Sequence, residues 1–208
     1  MLFLLLLAAF TQVQALWPIP RVLSTGTSPL TIGDGFFIDV TAIHSLPSDL
    51  KDAVSRTNHY FQNDKLGRLV VGRGPGNGLS LDNASRLNKL SLKLHNLNGT
   101  AATVNVLHNY KFIEPDTERL LMDATEQERI PSISDITSLP VEQRDESYQL
   151  KIPNDGSDAV LAANTTLGLL RGLTTFSQVW YQYERWIYTV EAPFDIADEP
   201  YYVSGDGR

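Results

Sequence analysis

The chain has 208 residues, 42% of them hydrophobic and 20% charged, with a net charge of −7 and no cysteine. That length suffices for one domain with its own core, and without cysteine no disulfide can staple it. The acidic balance argues against nucleic acid or an anionic membrane surface as the main partner.

Leu2 to Phe10 is almost wholly aliphatic, and Thr11-Gln12-Val13-Gln14-Ala15 closes the run on a small residue. This pattern reads as a secretory signal over residues 1–15, too short to span a bilayer. The expectation is a secreted protein, with no membrane association after cleavage and a domain beginning at residue 16. Three sequons then become candidate glycan acceptors: Asn83-Ala84-Ser85, Asn98-Gly99-Thr100 and Asn164-Thr165-Thr166. Asn98 lies in a turn-like Leu-Asn-Gly-Thr context and is the best placed. Asn164 sits at a helix start, where an N-cap side chain is already engaged by backbone N–H groups.

Trp17-Pro18-Ile19-Pro20 predicts an extended entry, since proline disfavours helix in the residue before it. Leu30 to Ile32 and Phe36 to Val40 read as two short strands around a Gly33-Asp34-Gly35 turn. Ser48 is placed to cap a helix through about Phe61, with Leu50, Ala53, Val54, Thr57, Tyr60 and Phe61 on one face. Residues 66–71 suggest a strand. Leu90, Leu92 and Leu94 alternate with polar residues as in a half-buried strand, and 102–112 is expected to pair with it across the Asn98-Gly99 turn. From 115 to 146 nine acidic residues face three basic ones, which reads as an exposed connection with a helical turn at 118–122. Order resumes with strands at 147–152 and 159–163 around Asn154-Asp155-Gly156. A helix follows from Thr165 to about Tyr181, striped by Leu169, Leu170, Leu173, Phe176, Val179 and Trp180, and then a strand at 186–190. The sum is an α+β domain, a sheet with two main helices packed on one face.

Chemistry is thinly signalled. Gly72 to Gly78 lacks the Gly-Lys-Ser/Thr ending of a phosphate loop, and Pro75 removes a donor N–H, so it reads as a flexible surface loop. His44, His59, His95 and His108 show no metal-ligand spacing. Glycoside hydrolysis needs paired carboxylates, which draws attention to Asp145-Glu146 and Asp198-Glu199. Both read as solvated connector charges rather than acids in a cleft. Trp17, Trp180 and Trp186 read as packing residues rather than a sugar-stacking platform.

Taken together, Trp17-Pro18-Ile19-Pro20, Glu146-Ser147-Tyr148-Gln149-Leu150, Leu170-Arg171-Gly172-Leu173-Thr174-Thr175-Phe176-Ser177-Gln178 and Asp198-Glu199-Pro200-Tyr201 stand in an order that resembles the non-catalytic N-terminal domain of secreted fungal family 20 β-N-acetylhexosaminidases. The resemblance implies a domain over 16–198 and a connector at 199–208 leading to a catalytic barrel. That family removes terminal N-acetylglucosamine or N-acetylgalactosamine from chitin oligomers and glycoconjugates, without metal or organic cofactor. Its catalytic Asp-Glu pair follows a His-x-Gly-Gly stretch that neither pair here possesses. A barrel takes upward of about 200 residues, so the expectation is a leading domain cut short of its chemistry and inactive alone. Its partner would be the missing barrel or a full-length hexosaminidase, met through an apolar, unpaired face.

Overall fold

The computed structural model describes residues 16–63, 73, 74, 76, 81–95 and 129–199. The leading segment 1–15, the expected strands at 66–71 and 102–112, the turn at 118–122, Asn98, His108 and the connector from Pro200 onward lie outside them.

The elements in chain order are β1 (Val22–Asp39), α1 (Ser48–Asn63), β2 (Ser85–Leu94), α2 (Ile133–Thr137), a 3-10 turn (Val141–Gln143), β3 (Tyr148–Ile152), β4 (Ala159–Ala163), α3 (Thr166–Gln178), β5 (Tyr181–Tyr183) and β6 (Trp186–Asp198). The six strands form one mixed sheet in the order β1-β2-β4-β3-β6-β5, and β1 also pairs with β6, so five of them close into a hydrogen-bonded ring. Closure leaves few free strand edges. α1 and α3 pack on each other and on the sheet, the expected α+β layering.

β1 is a single long strand, not two strands around a turn. Gly33 serves close approach rather than chain reversal: a Cβ there would lie 2.0 Å from Asn88 Oδ1. The ladder to β2 shifts register between Ile32 and Phe37 and continues, as a bulge allows. β6 likewise runs well past the expected Val190, because β3 on one side pairs with it through Asp198 and β1 on the other through Ala197. Pro193, which has no N–H for a ladder, sits where the β1–β6 register shifts. Its neighbour across the gap is Gly26, whose added Cβ would meet Ala192 O at 2.3 Å. The peptide bonds Trp17–Pro18 and Ala192–Pro193 are cis, and the entry at Trp17 bends rather than running straight.

α3 ends at Gln178 instead of Tyr181. Val179 is its C-cap and Tyr181 opens β5 opposite Tyr188. Its buried face meets an aromatic knot: Phe176 stacks on Phe36 at 5.8 Å and meets Phe61 and Trp180 edge-on at 5.5 and 5.6 Å. Two glycines let α3 approach the sheet. A Cβ on Gly168 would fall 2.3 Å from Ser147 O, and one on Gly172 2.1 Å from Leu161 Cδ1.

The described end of the acidic connection is also more ordered than composition suggests. Ser132 and Asp135 form a reciprocal capping box at the start of α2, and Ile133 and Ile136 are buried. Two apolar side chains on one short helix are enough to seat it, which net charge over a long window conceals. For β2, both edges are taken by β1 and β4 at Leu90 and Ser91, and the expected partner at 102–112 lies outside the described residues.

Candidate functional site

Register brings the two Asp-Glu pairs to one end of the sheet, since Asp198 lies opposite Tyr148, three residues beyond Asp145. Nothing in their sequence separation announces this. At that end β3 begins, β6 finishes and α3 starts. Thr165 is the N-cap of α3, accepting from Gly168 N at 3.0 Å and donating to Asp145 O at 2.5 Å.

Each carboxylate is engaged by the domain itself. Asp145 accepts from Ser147 N at 2.9 Å and from Ser147 Oγ, and its second oxygen takes Asn164 Nδ2 at 2.9 Å. Glu146 accepts from Arg171 Nε at 2.6 Å, binding the start of β3 to α3. Asp198 accepts from Arg21 N at 3.2 Å and Glu199 pairs with the Arg21 guanidinium at 2.9 Å, fastening the entry segment beside the end of β6. Tyr148, buried between them, shares a 2.6 Å hydrogen bond with Thr175 Oγ1. Burial pushes its phenol up, against the hydrogen bond to Thr175 that favours the charged form. The pairs are thus structural ties rather than loose connector charges.

A glycosidic general acid needs a carboxyl held above its ordinary range in an apolar pocket. The carboxyls displaced here move the other way. Backbone and side-chain hydrogen bonds from Thr41, Ser132 and Ser157 hold Asp39, Asp135 and Asp155 down. At Asp49 burial opposes the charge, but hydrogen bonds from Ser134, Ile133 and Leu50 outweigh it. A shallow hollow of about 440 Å³ opens between β1, β3 and β6, lined by Ser24, Thr25, Lys151, Pro153, Asp158 and Asp195. Asp158 and Asp195 pair with Lys89 and Lys151 at 2.7 and 3.7 Å, and neither Asp-Glu pair lines it.

The remaining candidates are scattered. His44, His59 and His95 are exposed on separate elements, and no group of three metal-ligating side chains occurs among the described residues. Trp180 is fully buried, Trp186 is half-buried beneath Arg185 and Arg86 at 4.5 and 5.7 Å, and Trp17 is 79% exposed. They form no common platform, and Trp17 is not a packing residue as its sequence context suggests. Reciprocal hydrogen bonds of 2.8 and 2.9 Å tie its backbone to the Gln178 amide while its ring faces solvent. Of the sequons, Asn83 is exposed in the turn before β2. Asn164 is not the N-cap; Thr165 takes that role, leaving the Asn164 amide on Asp145. Trp17, Ile19, Val22, Phe37 and Val141 are the exposed large hydrophobics among the described residues.

Residues 16–179 match the family model described as beta-acetyl hexosaminidase like, and the chain belongs to that family. It carries a domain of the type found at the N-terminus of family 20 hexosaminidases. The beta subunit of beta-hexosaminidase from Mus musculus is 38% identical over 87 residues, 42% of this chain and 15% of that protein. Among solved structures, the chitobiase of Flavobacterium johnsoniae aligns over 91% of this chain and 21% of its own, at 14% identity and a TM-score of 0.46. The beta-N-acetylhexosaminidase of Bacteroides fragilis aligns over 89% and 24%, at 11% identity and a TM-score of 0.41. The chain therefore spans less than a quarter of the length of each of these relatives.

Proposed function

We propose that this chain is the non-catalytic leading portion of a secreted β-N-acetylhexosaminidase, glycosylated at Asn83, Asn98 and Asn164, and that it hydrolyses nothing by itself. The family's activity, release of terminal N-acetylglucosamine or N-acetylgalactosamine, then belongs to the enzyme this domain supports. The observation carrying this reading is the engagement of both Asp-Glu pairs in hydrogen bonds that seat α3 and the entry segment. Carboxylates committed to these ties serve the seating of the domain rather than an open face toward a glycosidic oxygen. Purified chain incubated with a chromogenic N-acetylglucosaminide is expected to release no chromophore above the buffer rate. Turnover that scales with chain concentration would overturn the proposal.

A second reading, a secreted accessory module that docks on a full-length hexosaminidase, draws support from Trp17 and Ile19, which are 79% and 73% exposed. Large exposed apolar side chains favour a covering surface. Co-purification with the full-length enzyme, lost in Trp17→Ser, would favour that role, and retention of binding in the variant would remove Trp17 from it.

A further inference from the structure

Two turns of the domain meet at their tips. In the first, Ala84 N donates to Leu81 O at 3.2 Å, closing a turn over Leu81-Asp82-Asn83-Ala84 that leaves Asn83 exposed. The chain enters β2 at once, and Ser85 pairs with Leu30 of β1, so the sheet fixes where this tip points. In the second, Tyr183 pairs with Trp186 across the short Glu184-Arg185 connection between β5 and β6. The tips touch where Arg185 Nη2 stands 3.7 Å from Asp82 Oδ1. Arg185 also lies 4.5 Å from the centre of the Trp186 ring, and Arg86 lies 5.7 Å from it. The sequon asparagine is thus flanked along the chain by Asp82 and Arg86, both of which reach the same hairpin tip.

We propose that the glycan carried by Asn83 folds back onto this tip, its first N-acetylglucosamine packing on the Trp186 indole and being held by Arg185, Arg86 and Asp82. The inference rests on the glycosylation of Asn83 proposed above. The chemistry of the tip suits a sugar. A half-buried indole offers an apolar ring to the C–H face of a pyranose. Guanidinium N–H groups donate to its acetamide and hydroxyl oxygens, and a carboxylate accepts from its hydroxyls. The existing Arg185–Asp82 pair gives way at small cost, since its side chains are 75% and 60% exposed and such pairs contribute little. A glycan seated there would cover Trp186 and bind the turn before β2 to the β5–β6 hairpin.

The test uses the full chain expressed in a glycosylating host. Mass spectrometry of the peptide carrying Asn83 reads occupancy. NMR reads the acetamide methyl resonance of the linking sugar, identified as the one that vanishes in Asn83→Gln and in Ser85→Ala, which removes the sequon but keeps the asparagine. That methyl is expected upfield of its position in a free oligosaccharide, through the ring current of the indole. In Trp186→Leu it should return to the free position at unchanged occupancy. The wild-type shift is read without altering the hairpin, so it stands even where Trp186→Leu fails to fold. An occupied Asn83 whose methyl is unshifted, or equally shifted in a folded Trp186→Leu chain, would overturn the contact and leave the glycosylation intact. An unoccupied Asn83 would overturn both.

Discussion

The seat of α3 and the contact between Arg73 and Glu191 both rely on charged side chains, yet they rest on different foundations. The ties made by Asp145, Glu146 and Thr165 hold α3, whose Leu169, Leu173 and Phe176 are buried in the main core. The Arg73–Glu191 pair stands beside a smaller cluster, with three buried members among the described residues, Leu81, Tyr181 and Tyr188. Where polar ties and a large core coincide, loosening one spreads through the domain. Where a charge pair sits on a small satellite, loosening it stays local. The same residue types therefore carry different consequences according to the apolar area below them.

The sharpest way to break that contrast is to hollow the main core. Phe176→Ala removes a ring that touches Phe36, Phe61 and Trp180 and is expected to cost about 3–5 kcal/mol in urea unfolding. A loss below about 1 kcal/mol would put the weight of the fold elsewhere. Gly168→Ala comes next. Its Cβ would press on Ser147 O at 2.3 Å and on Ala163 Cβ at 2.9 Å, lifting α3 off the sheet at a cost of roughly 1–3 kcal/mol. Backbone cannot swing aside as a side-chain tip can, and a neutral result by thermal melting would mean that α3 is more loosely seated than described.

Ser132→Ala removes the side-chain acceptor of Asp135 N, 3.1 Å away, from the capping box of α2, with an expected loss of about 1 kcal/mol. The same helix yields a pH signature. Asp49 and Asp135 are both held below the ordinary 3.8. Their contribution is therefore present above pH 3.8 and is lost as pH falls through their lowered folded values. A double Asp49→Asn, Asp135→Asn variant should show a shallower fall in stability over that acid window, and an unchanged slope would remove both groups from the acid response. The smallest effect belongs to Glu199→Gln at the exposed pair with Arg21, where side-chain exposures of 69% and 49% limit the loss to under about 1 kcal/mol.

Much of the architecture is legible from residue order because local and tertiary preferences agree. The alternation of Tyr148, Leu150 and Ile152, the Asn154-Asp155-Gly156 turn and the stripe of α3 each fold as their pattern dictates. What escapes the sequence is settled by distant partners. Gly33 reads as a turn until Asn88 is seen to press on it, and residues beyond Val190 become strand because β1 and β3 pair with them. The meeting of the two Asp-Glu pairs follows from the β3–β6 register alone. Arg73 stands among glycines that suggest a free loop, and no local signal links it to Glu191, 118 residues away. Trp17 misleads in the opposite sense, since an aromatic beside prolines suggests packing while its ring stays in solvent.

The most direct measurement of the central claim, that the acidic pairs hold the domain together rather than perform chemistry, is the unfolding free energy of Asp145→Asn. The carboxylate accepts from Ser147 and Asn164 at a part-buried site, and the account predicts a loss of about 1–3 kcal/mol in urea. A variant as stable as the wild-type chain would contradict it.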